Sequence, residues 1–126
     1  MSDRKRILFV DDDPSILAGL KGVLFRDRKR WDMVFAQGGD AAIAELETGS
    51  FDAIVSDMRM PGIDGAMLLD RVHKLTPETR RVILSGSADA DDVQRAAAAA
   101  EEVLTKPCDA RTLRATLERL LLRAAA

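Results

Sequence analysis

Five short apolar runs punctuate this chain, and the spacing of the residues between them constrains the fold most. The runs are Ile7-Leu8-Phe9-Val10, Met33-Val34-Phe35-Ala36, Ala53-Ile54-Val55, Val82-Ile83-Leu84 and Val103-Leu104-Thr105. Continuous and partly β-branched, they read as strands buried on both faces. Apolar residues at helical spacing separate them. Ile16, Leu17, Leu20, Val23 and Leu24 follow the first run, and residues 41–46 follow the second. Met67, Leu68, Leu69, Val72 and Leu75 follow the third, residues 88–100 the fourth, and Leu113, Leu117, Leu120 and Leu121 the fifth. Strand-helix alternation of this kind implies a parallel sheet with helices on both faces, every strand being buried.

The punctuation agrees with that reading. Asp13 is placed to cap the first helix, with Pro14 at its first position. Gly38-Gly39 breaks the chain before the second helix and Gly49 stops it, and the third begins near Asp64-Gly65 and ends before Pro77. Asp89, Asp91 and Asp92 are expected in the first turn of the fourth, where the helix dipole favours them, and Asp109 caps the fifth. Arg26-Asp27-Arg28-Lys29-Arg30 reads as a solvated, turn-like helix end.

The 126 residues make one domain, with no repeat or linker. Lys+Arg of 19 against Asp+Glu of 21 gives a net charge of −2, which argues against a direct nucleic-acid surface. No apolar run has membrane-spanning length, and the charged start Met1-Ser2-Asp3-Arg4-Lys5-Arg6 is unlike a signal peptide. The single cysteine, Cys108, excludes an internal disulfide and a cysteine-built metal site. A cytoplasmic protein without membrane contact is the simplest reading.

In a parallel sheet the carboxyl ends of the strands share one edge. Here that edge would collect Asp11 and Asp12 from the first strand, Asp57 from the third, Ser85 from the fourth and Lys106 from the fifth. Two carboxylates about 4 Å apart repel by roughly 4 kcal/mol at an effective dielectric of about 20, so three together call for a cation. A few hard oxygen ligands suit Mg2+, which keeps several waters and bridges to phosphate. Lys106 adds a compact positive charge and Ser85 a hydroxyl donor. Asp57, followed by the turn-forming Pro61-Gly62, is then available as a nucleophile toward a phosphoryl group.

These residues resemble the receiver domain of two-component response regulators. The likeness spans essentially the whole chain, residues 1–126. It rests on the Asp-Asp pair, on Asp57 with Met60-Pro61-Gly62-Ile63-Asp64-Gly65, on Ser85, and on Lys106-Pro107. It implies a flavodoxin-like, doubly wound α/β fold with five parallel strands in the order 2-1-3-4-5 and five helices. Asp57 would be the phosphoacceptor, served by a sensor histidine kinase or phosphotransfer protein. Asp12 and Asp57 would ligate Mg2+ directly, Asp11 through water, and the Arg59 backbone carbonyl would complete the set. Ser85 and Lys106 would contact the phosphoryl group, and the Lys106-Pro107 peptide would be cis. Arg59 and Ser87 stand at positions that tune phosphate lifetime, with Arg59 shielding the acceptor or touching the phosphate. The resemblance implies a switch rather than a turnover enzyme. Its output face, formed by helix 4, strand 5 and helix 5, is also where a homodimer would form.

Two features depart from the family. Val103 stands where receivers carry a switch aromatic, three residues before the lysine, and the fourth helix is alanine-rich. Coupling is therefore expected to run through loosening or shifting of helix 4. The chain reads as a stand-alone receiver or as part of a longer protein with a C-terminal output domain, and Leu122 falls beside the core stripe, where it would serve either a dimer or such a continuation. Two alternatives stay open. One is a receiver-like interaction module that is never phosphorylated. The other is a phosphatase of the haloacid dehalogenase type, whose nucleophile ends strand one in an Asp-x-Asp-x-Thr/Val pattern, whereas Asp13 is followed here by Pro14-Ser15. An EF-hand is excluded, because the positions that need Gly and Glu hold Ile16 and Gly22. His73 reads as a surface residue, Cys108 as a small filler and Trp31 as packing between helix 1 and strand 2.

Overall fold

In the computed structural model, which describes residues 4–122, strands and helices alternate as the spacing predicts. The strands are β1 (Lys5–Asp11), β2 (Trp31–Gln37), β3 (Ala53–Asp57), β4 (Arg80–Ser85) and β5 (Glu102–Thr105). All their pairings are parallel, in the order 2-1-3-4-5. The helices are α1 (Pro14–Val23), α2 (Gly39–Thr48), α3 (Gly65–Leu75), α4 (Ala90–Ala99) and α5 (Ala110–Leu122).

Successive residues of a strand point to opposite faces, so each central run feeds two cores. Leu8, Val10, Ile54 and Ile83 pack with Ala42 of α2, Leu68, Leu69 and Val72 of α3, and Ala96 of α4. Ile7, Phe9, Val55, Val82 and Leu84 pack on the other face with Leu17 of α1, Leu24, and Leu113, Leu117 and Leu120 of α5. Trp31 opens β2, buried in this second core as expected. Double coverage is why β1, β3 and β4 carry unbroken apolar runs.

The expectation that every strand is buried fails at β5. Val103 is 37% exposed and Thr105 is exposed, while Leu104 turns toward the second core. The strand order explains this: β5 is an edge, with a neighbour only at β4. β2, the other edge, is half-buried along its middle.

Element ends differ in detail. α2 runs further than residues 41–46 at both ends, and α4 is shorter than residues 88–100. Asp89 is the N-cap of α4 rather than a first-turn residue, accepting from the Asp91 and Asp92 N–H groups. Asp13, Asp64 and Asp109 cap α1, α3 and α5 through the N–H groups of Ser15, Met67 and Thr112. The cap bond holds the Asp109 carboxyl below the usual aspartate range. The basic segment is solvated as expected, with Arg26, Arg28, Lys29 and Arg30 exposed, but it is more ordered than a turn. It is a 3-10 helix, Phe25–Lys29, whose Asp27 is buried and bonded to Arg30 and Arg114.

Candidate functional site

The chain leaves β1 on one side to form β2 and returns on the other side to form β3, so the winding reverses between β1 and β3. Open α/β sheets bind ligands at the carboxyl edge of such a switch point. The last residues of β1 and β3 are Asp11 and Asp57. Asp11, Asp12 and Asp57 each offer an oxygen within 4.8 Å of the others. Lys106, just beyond β5, reaches into the group, its Nζ lying 2.9 Å from Asp57 Oδ1 and 3.7 Å from Asp11 Oδ2. Four residues from three strand ends thus converge.

Local structure holds each of them. The Asp13 N–H donates to Asp11 Oδ1 at 2.9 Å, which ties the carboxylate to the start of α1. The Ser56 hydroxyl donates to the Asp57 carbonyl at 2.9 Å, and the Met58 N–H to the Leu84 carbonyl at 3.0 Å. The Lys106 N–H donates to the Ser85 carbonyl at 2.8 Å, and the Lys106-Pro107 peptide is cis. Gly65 closes the loop after β3, donating its N–H to Met58 O at 2.8 Å.

Burial pushes the Asp11 carboxyl above the ordinary aspartate value. The Asp57 and Asp12 charges push the same way, while the Asp13 N–H and Lys106 oppose them. Three carboxylates against one ammonium leave room for a divalent cation. The donor set, all oxygen and largely anionic, fits Mg2+.

Ser85 is buried at the end of β4, one step past Leu84, which pairs with Asp57. Its hydroxyl accepts from the Ser87 N–H at 3.3 Å. The Arg59 side chain pairs with α4: its Nε lies 2.6 Å from Asp92 Oδ2 at the start of that helix. Ser87 goes to the same carboxylate, its hydroxyl donating to Asp92 Oδ2 at 3.1 Å. Asp92 was visible in sequence only as a helix-start acid; nothing in its spacing marks it as the shared partner. Val103 lies on the exposed edge of β5, paired with Ile83. His73 is exposed, and Cys108 is half-buried against the second core, where burial pushes its thiol pKa up.

A family model described as the response regulator receiver domain matches residues 7–118. The transcriptional regulatory protein TrcR of Mycobacterium tuberculosis is 32% identical over 94% of this chain, which spans only 46% of that relative. Among solved structures, the signal receiver domain of an HD domain-containing protein from Pseudomonas fluorescens superposes with a TM-score of 0.86 at 30% identity, covering 94% of each chain. The response regulator TrrA of Thermotoga maritima, solved in complex with Mg2+-BeF, gives 0.79 at 27% identity over 92% of this chain and 98% of its own.

The chain therefore belongs to the response regulator receiver domain family. Receivers are the signalling switches of two-component systems rather than a classical enzyme family, and their acidic pocket binds Mg2+. No helix among the described residues is long and apolar enough to cross a membrane.

Proposed function

We propose that this chain is a cytoplasmic, Mg2+-dependent phosphorylation switch in which Asp57 accepts a phosphoryl group from the phosphohistidine of a sensor kinase or phosphotransfer protein. The observation that carries this reading is the ion pair from Lys106 to Asp57 inside a triad of carboxylates at the switch point. An Asp57 oxygen attacks phosphorus while the phosphorus–nitrogen bond breaks. The electron pair stays on the imidazole, which takes a proton, and an aspartyl phosphate results.

Asp12 and Asp57, with Asp11 through water and the Arg59 carbonyl, would hold the metal. Bound Mg2+ supplies divalent charge against the phosphoryl oxygens. Lys106 holds Asp57 at one end of its ammonium's reach and is placed to follow charge onto a phosphoryl oxygen. Ser85 supplies a hydroxyl donor, and Ser87 together with Arg59 sets how long the phosphate survives.

Residues 1–126 act as one receiver. Its output runs through the face of α4, β5 and α5, to an output domain or a second copy, without direct nucleic-acid or membrane contact. TrcR and its like are transcriptional regulators longer than this chain, which supports an output module in the full-length protein. With acetyl phosphate and Mg2+, mass spectrometry should find one phosphate on Asp57, and Asp57→Asn should lose it while keeping the native circular dichroism. Phosphate on Asp11, or undiminished phosphate in Asp57→Asn, overturns the assignment. No incorporation by the wild type from either acetyl phosphate or a phosphorylated kinase favours the interaction-module alternative.

A further inference from the structure

α4 is weakly seated by apolar contact. Only Asp92 and Ala96 are buried on it, and residues 96–100 offer methyl groups alone. Its first turns are held instead by charge, and the charges come from the loop that follows the acceptor strand. Arg59, two residues after Asp57, pairs with Asp92 at 2.6 Å. At the far end of the same loop, Asp64 receives Arg95 Nη2 of α4 at 2.8 Å. Arg95 Nη1 also lies 3.8 Å from Asp92 Oδ1, and Ser87 donates to Asp92 Oδ2. The Asp92 side chain is 10% exposed and the Arg59 side chain 70%. One partner is buried; the other is a long, mostly exposed cation.

We infer that Asp92 is a positioning residue that shares Arg59 with the phosphoryl group, so that partner exchange by Arg59 both sets phosphate lifetime and releases α4. The inference rests on Asp57 being the acceptor. A phosphoryl group brings about two negative charges to a residue two places from Arg59, where the carboxylate alone carried one. The guanidinium, with five donors in a planar fork, is suited to phosphoryl oxygens. As it swings, Asp92 loses its closest cation and keeps Ser87 and the more distant Arg95. The first turn of α4 then loses its Arg59 tie to the loop after β3, and the helix keeps only the Arg95–Asp64 bond one turn further on. This supplies a route from acceptor to output face that needs no aromatic at Val103.

The exchange is read by two measurements on the same proteins: the half-life of the aspartyl phosphate after acetyl phosphate is removed, and amide exchange over residues 90–99 with and without beryllofluoride and Mg2+. Asp92→Asn should free Arg59 for the phosphate and lengthen the half-life several-fold. In an Arg59→Ala background the same substitution should change it little. Beryllofluoride should speed exchange over residues 90–99 in the wild type, whereas Arg59→Ala should be fast already and gain nothing more. Arg59 is exposed, so that variant carries the test even where Asp92→Asn folds poorly. Wild-type protein that is phosphorylated on Asp57 but shows unchanged exchange overturns the sharing of Arg59 and leaves the acceptor standing. So does an Asp92→Asn effect on half-life that persists without Arg59. Absence of covalent phosphate overturns the acceptor and the sharing together.

Discussion

Burial holds Asp11 above the usual aspartate range, and this gives the metal-free protein a pH dependence of unusual sign. Between the ordinary aspartate value and the raised one, the native state binds more protons at Asp11 than the unfolded chain does. Stability at this residue therefore falls as pH rises through that window. Cation binding requires the deprotonated carboxylates, so Mg2+ opposes the trend. At a hundredfold excess over its dissociation constant it adds about 2.7 kcal/mol. Urea titrations in chelator should show wild type losing stability relative to Asp11→Asn across the window, with Mg2+ reversing the difference. Parallel pH profiles for the two proteins in chelator would contradict this account. Asp11, Asp12, Asp57 and Lys106 were all readable in sequence, because each stands at or just beyond the end of a short apolar run that reads as a strand. The direction of Arg59 was not: a long side chain on a loop has its partner chosen by whatever the fold brings near, here Asp92 from residues far along the chain.

At the scale of elements, the junction of β3 and α3 sets the position of Asp57, the proposed acceptor. A Cβ on Gly65 would stand 2.3 Å from the Asp57 carbonyl oxygen and 2.9 Å from the Met58 Cα. Both are backbone atoms and neither can rotate away, so α3 or β3 has to move. Gly65→Ala should cost about 1–3 kcal/mol in urea unfolding, the range of overpacking, and should slow phosphate incorporation at fixed acetyl phosphate. Gly22→Ala on α1, where nothing lies within 4 Å, is the control; it should hold or gain stability and leave incorporation unchanged. β5 shows how element type and element environment separate. Its apolar run correctly marked a strand, but burial on both faces required neighbours on both sides, and β5 has only β4.

Across the whole molecule the two edges of the sheet are built to opposite rules. At the amino-terminal edge acids and bases are matched. Arg6 pairs with Asp32 and donates its backbone N–H to Asp52; Arg80 pairs with Glu101; Arg30 pairs with Glu118 and with Asp27. Asp27 also receives Arg114 at 3.0 Å, joining the 3-10 helix to α5 across the chain. At the carboxyl-terminal edge three carboxylates cluster together, and Lys106 pairs with two of them, Asp57 and Asp11. Matched charge stabilises; unmatched charge is available to bind a cation and a phosphate. Asp27→Ala should therefore lower stability by about 2 kcal/mol, the scale of hydrogen bonds to charged groups, while acetyl phosphate still labels Asp57 at the wild-type rate. A change in labelling without a change in stability would reverse that division.

The sequence by itself determined the alternation of strands and helices, the Asp13 and Asp109 caps, and the residues that stand at each strand's carboxyl end. These follow from local causes: side-chain periodicity, cap chemistry and the abrupt end of an apolar run. Only the tertiary structure decided that β5 is half-exposed, that Asp27 is a buried clasp, and that Arg59 and Ser87 meet on Asp92. Those outcomes depend on which element lies beside which. Periodicity records that a face is covered, whereas the partner of an isolated charge is set by distances between segments remote in the chain.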